Sequence, residues 1–313
     1  MSAAFVCRSP AVEQFCCCSC GSLLYLFGGA KFDGTFVNEL CQFSLERHWI
    51  ILPAGGSVPR PRVEASITYA NSKLFLFGGL GSDGTLLNDL YAYDLGRTTW
   101  DILLHLNGCV PSPRRLCGFA ASNEALFLYG GDVGSSSTSI VSPHFRSVPS
   151  SSREFFSFIF EAASWKQVDC VDEFGPPPLR ACTLVWTYNR CVLFGGENNC
   201  GISAASTFVY NPEERKWTAS SINTISSRCN VSAVPYMDRF IIAYGGKDVD
   251  DFELDDLLIY DLSADTWSTS NTKECELFIA EVGCRYSHGS AILIDNNGIP
   301  QTQLTDSYIV SAG

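Results

Sequence analysis

Five times in this chain a short apolar run ends in paired glycines, at Gly28-Gly29, Gly78-Gly79, Gly130-Gly131, Gly195-Gly196 and Gly245-Gly246. A tryptophan follows each pair: Trp49, Trp100, Trp165, Trp217 and Trp267. The second glycine and the tryptophan lie 20 or 21 residues apart in four copies and 34 in the third. A period near 50 restricts the chain more than any local feature does, because it means one supersecondary unit used repeatedly.

The unit can be assembled from its parts. An apolar run such as Leu74-Phe75-Leu76-Phe77 or Cys191-Val192-Leu193-Phe194 leads into the doublet. A polar loop follows, then an alternating segment such as Asp89-Leu90-Tyr91-Ala92-Tyr93-Asp94 or Asp256-Leu257-Leu258-Ile259-Tyr260-Asp261. The tryptophan comes seven residues after Tyr93, Tyr210 and Tyr260, and an arginine (Arg62, Arg115, Arg180 or Arg228) precedes each next doublet. Near-continuous apolar runs suit strands buried on both faces. Glycine suits a strand end where another backbone comes close. The aromatic rings supply large buried area, each with a polar atom to satisfy.

In order and spacing these elements resemble the kelch repeat over nearly the whole chain. The resemblance implies an all-β fold in which four antiparallel strands make one blade of a propeller. Residues 1–313 are expected to form a single kelch propeller domain of six blades. Arg285, with Ala291-Ile292-Leu293-Ile294 as an inner strand, opens a sixth copy that has neither doublet nor tryptophan. An open ring would leave bare strand edges. The sixth blade is therefore expected to be incomplete or closed by both termini, with Ser2 to Cys7 adding its outer strand and Asp306 to Ala312 its second or third.

Net charge is −12, against the clustered basic residues that sequence-independent nucleic-acid binding requires. No stretch approaches the ~20 uncharged apolar residues of a membrane span, so no membrane insertion is expected, and the apolar start is too short for a signal peptide. The fifteen cysteines are odd in number and scattered through predicted strands, which suits reduced thiols and a cytoplasmic location. In Cys16-Cys17-Cys18-Ser19-Cys20, a zinc half-site spacing lacks a second pair, and neighbouring side chains on a strand face opposite ways. Buried strand thiols are the expectation.

Two loops depart from the repeat. The third copy carries a serine-rich insertion over 134–153, read either as dispensable or as a partner-binding or phosphorylated element. After the fifth doublet Asp248, Asp250, Asp251 and Glu253 crowd together, read either as a solvated loop or as a docking patch for a basic partner. The arginines carry two readings as well. Each bonds carbonyls of an adjoining blade, or, as kelch rings that capture acidic peptides imply, Arg62, Arg115, Arg180, Arg228 and Arg285 ring one mouth of the central channel.

The proline-rich turns ahead of the repeats, such as Val58-Pro59-Arg60-Pro61-Arg62, look most like the Rab-effector and host-cell-factor branch. A stand-alone propeller of that kind is a protein-interaction scaffold or a subunit of a larger assembly, with a protein partner and no cofactor. The alternative is a metal-dependent kelch-type enzyme, an oxidase or specifier-like protein. The four histidines (His48, His105, His144 and His288) fall in different blades and form no ligand cluster in the sequence.

Overall fold

The computed structural model describes residues 5–7, 10–21, 23–44, 47–104, 108–134, 150–170, 175–201, 205–220, 225–269, 291–294 and 300–303. All regular structure in them is strand. Blade 1 holds β1 (Phe5–Cys7), β2 (Cys16–Cys20), β3 (Leu23–Phe27), β4 (Leu40–Ser44) and β5 (Arg47–Ile51). Blade 2 holds β6 (Gly55–Gly56), β7 (Arg62–Val63), β8 (Ser66–Ala70), β9 (Lys73–Gly81), β10 (Leu86–Asp94) and β11 (Thr99–Ile102). Blade 3 is β12 (Gly118–Ala121), β13 (Ala125–Tyr129), β14 (Phe155–Ile159) and β15 (Ser164–Gln167). Blade 4 is β16 (Thr183–Thr187), β17 (Arg190–Phe194), β18 (Thr207–Asn211) and β19 (Lys216–Ala219), and blade 5 is β20 (Ser232–Tyr236), β21 (Phe240–Tyr244), β22 (Leu257–Asp261) and β23 (Thr266–Thr269).

Each blade is an antiparallel meander running from an inner to an outer strand. The inner strands β2, β8, β12, β16 and β20 pack side by side. Among the described residues the ring has five blades of this kind, not six. In the remaining place stands a two-stranded sheet, β24 (Ala291–Ile294) with β25 (Pro300–Gln303), and β24 packs against both β2 and β20. Ala291–Ile294 is thus the inner strand the sixth copy announces, and its partner is Pro300–Gln303. Asp306 to Ala312 and Arg285 lie outside the described residues, as does most of the serine-rich insertion.

The N-terminal strand is a second correction. Phe5–Cys7 pairs with β5, placing Cys7 opposite Trp49, so among the described residues it extends blade 1 and not a sixth. The neighbouring blades give the reason. Gly56 lies beside Trp100 and Gly108 beside Trp165, so the chain entering blades 2 and 3 covers the outer edge of the blade it is about to build. At blade 1 that edge falls to the segment that precedes it.

Packing between blades repeats a single contact. The aromatic residue just before a doublet meets the next blade's tryptophan edge to face: Phe27–Trp100 at 5.3 Å, Phe77–Trp165 at 5.5 Å, Tyr129–Trp217 at 5.7 Å and Phe194–Trp267 at 4.9 Å. Trp100, Trp165, Trp217 and Trp267 are buried at these seams, and Trp49 is buried against Phe43 within its own blade. Only some rings satisfy their N–H. Trp267 donates to the Thr207 hydroxyl at 2.9 Å, whereas Trp100 Nε1 is buried with no acceptor among the described residues. Leu40, which pairs with Phe27 as Thr207 pairs with Phe194, puts a side chain without an acceptor at the equivalent place.

The cysteine run forms inner strand β2, and no disulfide joins the described cysteines. Burial pushes the Cys17 thiol up to about 12 and the Cys16 and Cys18 thiols well above their ordinary value. Such thiols stay protonated and unreactive.

Candidate partner-binding face

The doublets place the loops around the channel mouth. At the first glycine the chain turns left-handed and meets the carbonyl of a residue entering the next blade. A Cβ on Gly28 would lie 2.6 Å from Arg62 O, on Gly78 2.5 Å from Arg114 O, and on Gly195 2.7 Å from Arg228 O. The N–H of the second glycine donates to that same carbonyl, as in Gly29 to Arg62 and Gly79 to Arg114, both at 2.9 Å. Any side chain here would separate two blades.

The residue that supplies the carbonyl also turns its side chain into its own blade. The Arg62 guanidinium donates to Gly78 O and to both carboxylate oxygens of Asp89. Arg114 reaches Gly130 O and Glu154, and Arg228 reaches Gly245 O and Asp256. All three arginine side chains are buried. The repeat-equivalent arginine of blade 3 is therefore Arg114, not Arg115. Blade 4 has Leu179 at this position and Ser206 where the others carry the carboxylate, so cation and anion are missing together.

Arg115 and Arg180 belong one residue later, on the rim. Each forms a bridge across the start of the doublet loop: Arg115 to Asp132 and Arg180 to Glu197. Arg115 also reaches Glu64 of the preceding blade at 2.5 Å. Its burial works against the charge, but Glu64 and Asp132 outweigh that and raise its pKa. Cys229 donates to Glu197 at 3.0 Å, and Lys247 pairs with Asp251. Of the five arginines expected to ring a positive mouth, Arg62 and Arg228 are sealed in blade-internal ion pairs, Arg115 and Arg180 stand on the rim answered by carboxylates, and Arg285 is outside the described residues. The rim alternates in charge instead of focusing one sign.

Just inside the rim is a feature with no sequence signal. Gln14, Glu64, Leu116, Ala181 and Asn230 all have φ between 51° and 55°. The N–H of each of the last four donates to the carbonyl of its counterpart in the preceding blade: Glu64 to Gln14, Leu116 to Glu64, Ala181 to Leu116 and Asn230 to Ala181. A backbone chain of hydrogen bonds thus girdles a channel of about 480 Å³. Non-glycine residues adopt this conformation at a cost of roughly 1–2 kcal/mol each.

The blade 5 loop is the most polar part of this face. The Asp248 carboxylate accepts from the amides of Asp250 and Phe252 at 2.9 Å, fixing the turn, and Asp250 and Glu253 remain at the surface beside it. Between these acids Val249 and Phe252 are 55% and 69% exposed, and Phe32 projects from the loop of blade 1. Among the described residues no three His, Cys, Asp or Glu gather as a metal would require, and no helix is long and apolar enough to cross a membrane.

No curated protein matches the chain significantly. The family described as the KLHDC2/KLHL20/DRC7 kelch-repeats domain matches residues 14–225 and 149–297. With most of its length covered and its blades latched by the doublets, the chain belongs to the kelch-repeat family.

Proposed function

We propose that this propeller is a non-catalytic protein-interaction scaffold, acting in the cytoplasm alone or as a subunit of a larger assembly, that captures a partner on the face carrying the doublet loops. The observation that carries this reading is the blade 5 loop. Its backbone is held by Asp248 and by the Lys247–Asp251 pair, yet it exposes Val249 and Phe252 among carboxylates. Exposed apolar side chains on an ordered loop are a docking feature more than a folding one. The acids favour a partner segment that combines an apolar side chain with lysine or arginine, and the rim pairs of Arg115 and Arg180 give it an alternating border for register. That no disulfide joins the described cysteines agrees with a reducing compartment.

The test is co-purification from cells with quantitative mass spectrometry, comparing the native chain with Phe252→Ser/Asp250→Lys and with Arg115→Ala/Arg180→Ala. Loss of the principal partner in the loop variant, with melting temperature within a few degrees of the parent, is the expected result. Unchanged capture in both variants moves the binding surface elsewhere. Stoichiometric copper or iron in the purified protein would revive the enzymatic alternative.

A further inference from the structure

On the opposite face, the inner hairpins of blades 4 and 5 flank a cleft of about 620 Å³. Its rim carries Tyr188 and Met237, the first turn residue of each hairpin, and they are 70% and 69% exposed. Both also have positive φ, 45° and 50°. Blade 2 meets the same turn with Asn71 and Ser72, types that tolerate this conformation. A bulky side chain held left-handed and pointed at water costs the fold twice, once in backbone strain and once in exposed apolar surface. Two adjacent blades accept that cost at the same turn. Such strain concentrates where a surface has work to do.

We infer that this cleft is a second docking site, and that it takes a partner segment in which an aliphatic or aromatic side chain sits next to lysine or arginine. Charge decides the second half. Arg239 is committed to both oxygens of Asp261, and Asp265 accepts the Tyr260 hydroxyl at 2.6 Å. Glu214 and Asp238 are exposed and take part in no ion pair among the described residues, while Arg190 donates to the Asn189 carbonyl. The uncommitted charge is two carboxylates to one guanidinium, on a chain of net charge −12. The apolar half follows from Tyr188 and Met237, with Val209 and Leu262 in the lining below them. An unbranched, polarizable methionine and a tyrosine with a wet hydroxyl suit a contact that forms and dissolves. The site lies away from the doublet loops and stands whether or not those bind the partner proposed above. With both, the propeller joins two proteins.

A phage library of twelve-residue peptides, selected on the full chain and counter-selected on the Tyr188→Asn/Met237→Asn variant, tests it. Enriched peptides should pair an apolar residue with lysine or arginine. A selected synthetic peptide, measured by fluorescence anisotropy, should bind the double variant at least tenfold more weakly and Glu214→Lys/Asp238→Lys at least fivefold more weakly. The double variant should melt no lower than the parent, since asparagine relieves both turns. Acidic peptides, or no peptide sensitive to the two turn residues, overturn the proposal. So does a lowered melting temperature, which makes Tyr188 and Met237 part of the fold, and so does concentration-dependent dimerisation abolished by the double variant, which makes the occupant a second copy.

Discussion

Arg62 holds Asp89 by two parallel hydrogen bonds of 2.6 and 2.9 Å while its own carbonyl receives the Gly29 N–H of the blade before. One residue thus fastens the loop of its own blade with its side chain and the seam between blades with its backbone. The Arg62 side chain is fully buried and Asp89 only partly, so removing the cation leaves a carboxylate that water reaches, whereas removing the carboxylate strands a buried guanidinium.

Asp89→Ala should therefore cost more than Arg62→Ala, with ~3–5 kcal/mol expected for the stranded charge. Urea unfolding of the two variants measures both. Equal costs would mean that Arg62 contributes mainly by packing.

Thr207→Val tests the tryptophan seam. Valine keeps the shape but removes the acceptor of the Trp267 N–H, which is buried, and a loss of ~1–3 kcal/mol is expected. Trp100→Ala, which empties a fully buried site between Phe27 and Tyr93, should cost ~3–5 kcal/mol. A wild-type melting temperature for either variant would contradict the packing.

The girdle around the channel offers a stabilising change. Leu116 is held at φ 55° and Ala181 at 51°. Glycine relieves the left-handed strain and gives back part of that as unfolded-state entropy, so Leu116→Gly and Ala181→Gly should be neutral to ~1 kcal/mol stabilising, the reverse of glycine's usual effect in a strand-rich protein. A loss above ~1 kcal/mol in both would show that their side chains matter more than their backbone.

The thiols should divide into two classes. Cys109 and Cys200 are exposed, while burial raises Cys16, Cys17, Cys18, Cys117, Cys182 and Cys191. A thiol whose folded pKa lies far above 9 stays protonated across the range where a free one ionises. Alkylation of the native protein should label the exposed Cys109 and Cys200 and leave the thiols raised by burial unlabelled until the chain unfolds, as peptide mapping will read. Fast labelling of Cys17 in the native state would place β2 elsewhere.

The propeller was legible because its blades are built on steric necessities that leave the same residue type every time: glycine under a carbonyl, an aromatic against a tryptophan. The arginines were harder. Arg114-Arg115 and Leu179-Arg180 let a reading by residue type slip one position, although the structural arginines stand 16 or 17 residues before the first glycine of their doublet. The acid 11 residues after that glycine, present as Asp89, Glu154 (beyond the insertion) and Asp256, would have fixed the register. The φ-positive girdle had no such signal, because Gln14, Glu64, Leu116, Ala181 and Asn230 share no chemistry and the bonds they make are all backbone. The N-terminal strand was misplaced for a different reason: the repeat pattern offers an outer edge in blade 1 as well as in the sixth copy, and a strand of three residues carries nothing that chooses between them.

Blade 4 supplies the sharpest test of the latch, since nature has removed both halves of it. Leu179 keeps the backbone role, its carbonyl accepting from Gly131 at 2.8 Å, and its side chain is buried where Arg62, Arg114 and Arg228 place theirs. Leu179→Arg alone would bury a cation opposite Ser206 and should cost ~3–5 kcal/mol. Ser206→Asp alone adds a carboxylate without a partner and should cost less, because Ser206 is not fully buried. Combined, the two recreate the arrangement of blades 2 and 5, and the pair should recover ~1–3 kcal/mol relative to the sum of the single changes. Chemical unfolding of all four chains closes the cycle. Strict additivity would mean that the neighbouring blades, and not the arginine–carboxylate pair, determine how this loop is held.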